Sequence, residues 1–411
     1  MLSKFFKSRG RMQALWNGPA GSLLENFAQT LSETGYATAS ARRLLRAAEH
    51  FVYWTHRHGV PVCKLNDQSL AGFHRHLSRC HCPHYGHANQ MRGVYGAHRF
   101  LNYLRDFRII TLRSAEPPVH DPALLLAFGQ WMHQHRNACD VTLDRYSVHI
   151  RELLRRLGEE PRRFDARGLR AFVLERSHCG WAAAKMCTTA LRMFLRFLIA
   201  EGQCAVGLDA AIPTVAHWRL ASLPRYLQPE EAERLIDSCD RASAVGWRDR
   251  AILLLLARLG LRADDIAHLR LSDIDWKDAS IQVCGKGGRY ARMPLTQEVG
   301  QAIVAYLKKG RPRSNIDTLF IRCRAPYCAF SSHSAVSLIV DRALRRAGVA
   351  RPSRGAAHLL RHSLATSLLR QGASLEDIAT ILRHRSIATT QIYAKVDIAS
   401  LRQIAQPWPE V

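Results

Sequence analysis

Apolar residues recur at helical spacing from about Leu23 to Ile110. Phe27 and Leu31 start the pattern, and Leu44, Leu45, Ala48, Phe51 and Val52 continue it. The segment Ser114-Ala-Glu-Pro-Pro-Val-His-Asp-Pro122 breaks the pattern and reads as a linker. A second helical block runs from Ala123 to Gly202 and echoes the first. Thr38 introduces a helix that ends near His56-Arg-His-Gly59, and Thr142 introduces one that ends at Arg156-Leu-Gly158. Leu65-Asn-Asp67 with Leu70 and Phe73 is then matched by Phe164-Asp165 with Leu169 and Phe172. Each block closes on a basic-aromatic helix, His98–Leu104 in one and Leu191–Leu198 in the other. The echo predicts a tandem duplication of one helical module.

A second linker spans Gly207 to Pro224. Tyr226-Leu-Gln-Pro-Glu-Glu-Ala-Glu-Arg-Leu-Ile follows, and its proline and acidic first turn mark a helix start. The remainder is helical to about Val396, apart from one β region. There Ser280-Ile-Gln-Val283, a glycine-rich turn at Gly285–Gly288, and Tyr290-Ala-Arg-Met293-Pro-Leu predict a hairpin with Lys286 at its tip. The expected fold is mainly α with a small antiparallel β-sheet. Three domains are expected, at 1–113, 123–206 and 223–411, as suits a chain of 411 residues.

Charge narrows the partner. A formal net charge of +25 points to a polyanion, and nucleic acid is the first choice. No apolar run approaches the ~20 residues of a membrane helix, and no signal peptide or lipidation motif is expected at the basic start. Eleven cysteines without a framework spacing fit free thiols in a reducing cytosol.

Certain polar residues stand at structured positions. Arg262 follows the apolar run Leu253–Leu261, where a buried helix ends at Gly260 and a new one starts at Ala263-Asp-Asp265. His358 and Arg361 share a helical face at i and i+3, and His362 turns partly away from it. The pair His358 and His362 lacks the glutamate of a zinc-hydrolase helix. His384 precedes Tyr393 by a segment in which Ser386–Thr390 caps a new short helix. A phenol, with its pKa of about 10, needs cations and a proton acceptor to attack phosphorus. Two arginines, two histidines and a lysine supply these, with Lys286 placed to protonate a leaving oxygen. No P-loop spacing and no two-metal carboxylate cluster are present, so neither a cofactor nor a catalytic metal is expected.

These residues resemble the tyrosine recombinases, or phage-type integrases, over roughly Leu223 to Ala394. Gly260-Leu-Arg262-Ala-Asp-Asp265 is similar to the family's first arginine box, and Gly285-Lys286-Gly-Gly-Arg to its lysine hairpin. His358-Leu-Leu-Arg361-His resembles the His-x-x-Arg box, and Leu382-Arg-His384 through Ile392-Tyr393 the His-to-Tyr box. The resemblance implies Tyr393 as nucleophile, Arg262 and Arg361 as phosphate clamp, and Lys286 as general acid. It implies that His358 and His384 assist proton transfer and that Asp265 supports the site. It further implies a DNA breaking-rejoining domain, a core-binding module at 123–206, a covalent 3′-phosphotyrosyl intermediate and a tail helix after Ala394. The partner would be double-stranded DNA, bound by a homo-tetramer or a hetero-tetramer with related recombinases in the bacterial cytoplasm, at the nucleoid. The layout is similar to recombinases of transposons and integrated elements. Two departures stand out: Arg383, where the family commonly has glycine, and the extra block at 22–112. A type IB topoisomerase and a cleavage-deficient accessory protein are the rival readings.

The run Cys80-His-Cys82-Pro-His84-Tyr-Gly-His87 offers Cys80, Cys82, His84 and His87 as zinc ligands. Its spacing is tighter than finger patterns, which favours a metal-free loop.

Overall fold

The computed structural model describes residues 1–83, 85, 90–110, 121–178, 180–214, 223–285, 289–351 and 355–396. Lys286, His84, His87, most of both linkers and the expected tail helix lie outside the described residues.

The N-terminal block holds helices α1 (Leu2–Phe5), α2 (Arg9–Trp16), α3 (Gly21–Glu33), α4 (Thr38–Arg57), α5 (Asp67–Leu77) and α6 (Gln90–Asp106). Ala41, Leu44, Leu45, Ala48, Phe51 and Val52 form the buried stripe of α4, at the spacing the sequence predicts. Helix α6 packs closely on α4 at Gly96, where a Cβ would lie 2.4 Å from that of Ala47. Asn66 starts α5 by accepting a hydrogen bond from the Ser69 amide at 2.9 Å.

The middle block holds α7 (Ala123–Arg136), α8 (Asp140–Leu157), α9 (Ala166–Ser177) and α10 (Trp181–Ala200) around a core that includes Phe128, Leu153, Phe172 and Phe194. Its order repeats that of the first block. A long helix leads through a 3-10 turn (Val62–Lys64 or Pro161–Arg163) to a side-chain-capped shorter helix, then to another long one. Asp165 caps α9 as Asn66 caps α5, accepting from the Gly168 amide at 2.7 Å. The first block carries two additional helices, α1 and α2, ahead of this order.

The C-terminal region begins with α11 (Pro229–Asp237), α12 (Ala244–Leu259) and α13 (Ala263–His268). A three-stranded antiparallel sheet follows, β1 (Ile274–Asp275), β2 (Ser280–Gly285) and β3 (Arg289–Pro294), in the order β1-β2-β3. Helices α14 (Gln297–Ala305), α15 (His333–Arg346), α16 (Ala356–Arg370) and α17 (Leu375–Ile381) complete it. Ile281 pairs with Met293 and Val283 with Ala291, which turns Ile281, Val283 and Met293 into the core. The apolar stretch Ala251–Ala257 of helix α12 runs through that core. Each of Leu253–Leu256 is fully buried, a gain of about 1.5–3 kcal/mol per side chain.

Residues 1–113 and 222–411 form one compact unit and residues 114–221 another. Within the first, the Tyr327 amide donates to Thr34 O at 3.0 Å, and Gly35 at φ +83° leaves room for the Tyr327 ring. No helix among the described residues is long and apolar enough to cross a membrane.

Candidate active site

Helix α12 ends at Gly260, in the left-handed region at φ +58°. A Cβ there would meet Leu382 Cδ2 at 2.7 Å and Leu364 Cδ2 at 2.9 Å, so glycine is required for both conformation and space. The chain restarts at once. Asp265 accepts the Arg262 amide at 3.1 Å, caps α13, and fixes Arg262 at the junction. The Arg262 guanidinium donates to Arg383 O at 2.9 Å.

Arg361 projects from α16 into the space behind Gly260. It is only 4% exposed and donates to Gly260 O and to Leu382 O, joining α12, α16 and the end of α17. Burial, and then the charge of Arg262, bring its pKa down to about 10. Burial also lowers that of Arg262.

Arg383 is a third guanidinium here. It stands at φ +54°, the left-handed region that favours glycine, and the ion pair with Asp265 at 2.5 Å holds its side chain. A non-glycine residue there costs roughly 1–2 kcal/mol. Nε and Nη1 of Arg383 are buried without a hydrogen-bond partner among the described residues. Three cations thus share a poorly hydrated space with one carboxylate, Asp265.

Tyr393 lies 1% exposed in a small core with Ala365, Ile378 and Leu382, on a 3-10 turn spanning Gln391–Val396. The expected cap at Ser386 is present, but it opens a 3-10 turn, Ile387–Thr389, and no α-helix. Burial pushes the Tyr393 phenol up to about 12, opposed by the charge of Arg361. The phenol oxygen lies 2.8 Å from His362 Nδ1. His362 therefore does not turn away: α16 brings it, rather than His358, to the phenol. Burial, then the charges of His358 and Arg361, hold its pKa at about 4. The imidazole is neutral at physiological pH, and with its proton on Nε2 it accepts from the phenol at Nδ1.

His384 sits 2.8 Å from Thr390 Oγ1 through Nδ1, and burial with the nearby Arg361 and Arg262 holds its pKa at about 4. His358 keeps part of its surface exposed on α16, and desolvation of the rest of the ring, then the charges of Arg361 and Arg262, lower its pKa. The structure therefore gathers Arg262, Asp265, His358, Arg361, His384 and Tyr393 at one site. It adds His362 and Arg383. Spacing held a sign of His362, which lies one helical turn beyond His358.

A family model described as "Phage integrase family" matches residues 225–399. The chain is 35% identical over 397 residues to "Putative integrase/recombinase y4rA" of Sinorhizobium fredii, covering 95% of each protein. It is 30% identical over 297 residues to "Tyrosine recombinase XerC" of Pelotomaculum thermopropionicum, covering 67% of this chain and 94% of the relative. Among solved structures, the post-cleavage complex of XerH site-specific recombinase bound to palindromic difH substrate shares the fold. Its TM-score is 0.55 at 19% identity, over 83% of this chain and 95% of that one.

Proposed function

The chain belongs to the phage integrase family, and from that premise we propose that it cuts and rejoins double-stranded DNA at specific sites through Tyr393. The observation that carries the reading is the group of Arg262, Arg361 and Arg383 beside Asp265, with Arg361 close enough to act on the Tyr393 phenol. Guanidinium forks suit the non-bridging oxygens of a phosphodiester.

Tyr393 Oη attacks phosphorus and the bond to the 5′ oxygen breaks. The phenol proton passes to a neutral imidazole, and His362 Nδ1 at 2.8 Å is the nearest. Lys286 protonates the departing 5′ oxygen. His358 and His384 orient the phosphate, and the arginines stabilise the charge that builds on it. The phosphotyrosine keeps the energy of the broken bond, so a 5′-hydroxyl from another strand reverses the step without ATP.

Exchange between two duplexes needs four cleavages, which four chains supply. The block at 123–206 serves as the core DNA-binding module. The block at 1–113 is a second copy that extends the footprint, and 223–411 is the catalytic domain. The protein works in the cytoplasm, at the nucleoid, on the ends of a mobile element, like the transposon integrase whose DNA complex has a related fold (TM-score 0.50).

The test is a nicked duplex drawn from the DNA that flanks the gene. Cleavage releases a short fragment that cannot religate, so a covalent protein–DNA complex accumulates, and with Tyr393→Phe it vanishes. Binding without any covalent product would support an accessory role instead. Relaxation of supercoils irrespective of sequence would support a type IB topoisomerase.

A further inference from the structure

The N-terminal block contains a second cluster of reactive side chains that the Tyr393 chemistry does not use. His50 on α4, His76 in the last turn of α5, and Cys80 and Cys82 in the following loop converge, with one ligand atom from each within 4.8 Å of the others. His50 Nε2 is 3.4 Å from Cys80 Sγ, and His76 Nε2 is 3.4 Å from Cys82 Sγ. We infer that these four residues form a structural zinc site.

The geometry is close to that of a bound ion. Zinc–sulfur bonds of about 2.3 Å and zinc–nitrogen bonds of about 2.0–2.1 Å at a tetrahedral angle place sulfur and nitrogen roughly 3.5 Å apart. Two such edges are already formed. The remaining separations, none above 4.8 Å, close by at most about 1.4 Å, within reach of side-chain rotation. Two imidazoles and two thiolates are a ligand set that selects zinc over magnesium or calcium. All four positions of the tetrahedron are filled by protein, which leaves none open for substrate.

The surroundings hold these ligands in place. The His50 ring stacks on Tyr85 with centroids 4.3 Å apart and meets the edge of Phe73 at 5.1 Å. The His76 ring stacks on Trp54 at 5.5 Å. The Cys82 amide donates to Cys80 Sγ at 3.4 Å. His50 is only 7% exposed, so the cluster is rooted in the block's own core. A bound ion would tie α4, α5 and the Cys80–Cys82 segment together. Weak S–H···N bonds between neutral groups would give the same pair distances, but no reason for four such groups to meet.

The sequence reading paired Cys80 and Cys82 with His84 and His87. Among the described residues, the two histidines that meet the cysteines come from helices earlier in the chain, where local spacing carries no trace of them; His84 and His87 lie outside those residues.

Full-length protein purified from zinc-supplemented cells, desalted and assayed by elemental analysis should carry about one zinc per chain. Apoprotein titrated with cobalt(II) should show the intense visible absorption of a tetrahedral ion and thiolate charge-transfer bands. Cys80→Ser, Cys82→Ser, His50→Ala and His76→Ala should each remove or shift these, while His84→Ala and His87→Ala should leave them intact. Wild-type protein with no zinc, and with only weak six-coordinate cobalt absorption, would overturn the inference. So would loss of the signal in the His84 and His87 variants but not in those of His50 and His76. The wild-type measurements stand even if a variant misfolds, and none of them depends on DNA cleavage.

Discussion

The Tyr393 site draws its residues from the α12–α13 junction, from α16 and from the segment after α17. The His50 cluster draws on α4, α5 and one loop. At the first site the charged groups also hold the backbone together: Arg361 bonds Gly260 O and Leu382 O, and Arg262 bonds Arg383 O. At the second, the named polar contacts of the four side chains are with one another or with a local amide. Chemistry and stability are thus coupled at the first site. At the second, a metal can come and go without reaching the reacting groups.

Arg361→Ala tests that coupling with the largest expected effect after Tyr393→Phe. It leaves two buried carbonyls unpaired, at about 1–3 kcal/mol each, and removes a phosphate ligand worth about 100-fold or more in rate. Both the unfolding midpoint and the rate of covalent-complex formation should drop. A variant that loses cleavage at wild-type stability would break the coupling. Cys82→Ser is the counterpart. It should abolish zinc binding and lower the melting temperature, while cleavage stays within about twofold, as expected of distant independent sites. A large fall in cleavage would mean that the two clusters communicate.

Acid sharpens the comparison further. His362 and His384 have folded pKa values of about 4, against an ordinary value of 6.5. Between those values the unfolded chain binds more protons than the folded one, so stability rises with pH. The stabilisation is present above about pH 6.5 and is lost as the pH falls toward 4. Melting temperatures measured from pH 7 to pH 5 on chelator-treated protein should fall, and His362→Gln with His384→Gln should flatten the slope. Repeating the scan with zinc separates this loss from acid release of the metal.

Much of the fold was legible because it rests on local rules. The apolar run before Gly260, the capped restart at Asp265, and the alternation of Ile281 and Val283 each dictate their own geometry. The repeated order of the two helical blocks was visible for the same reason. What escaped depends on how separate elements are phased. Tyr393 lies on a 3-10 turn, and no spacing along the chain shows which face of α16 it meets. His362 was therefore assigned away from it. Arg383 looked only like a departure from glycine. Its left-handed backbone and its bond to Asp265 show that the site tolerates an arginine there by pairing it. His50 lies 30 residues before Cys80, a separation that no ligand pattern flags.

The smallest effect expected at the Tyr393 site comes from Thr390→Val. Thr390 is fully buried, and its hydroxyl lies 2.8 Å from His384 Nδ1. Valine keeps the shape and removes the hydrogen bond, at about 0.5–1.5 kcal/mol. The denaturant midpoint should shift by that amount with an unchanged slope. Thr390 is a positioning residue: its hydroxyl holds the His384 ring through Nδ1. Cleavage should fall by less than about tenfold, the factor that one such bond is worth. Its pH profile should shift, because His384 loses its hydrogen-bond partner at Nδ1. Thr390→Ser should restore both rate and profile. A loss as deep as that of Arg361→Ala, without rescue by serine, would mean that Thr390 holds the turn carrying Tyr393 rather than the imidazole.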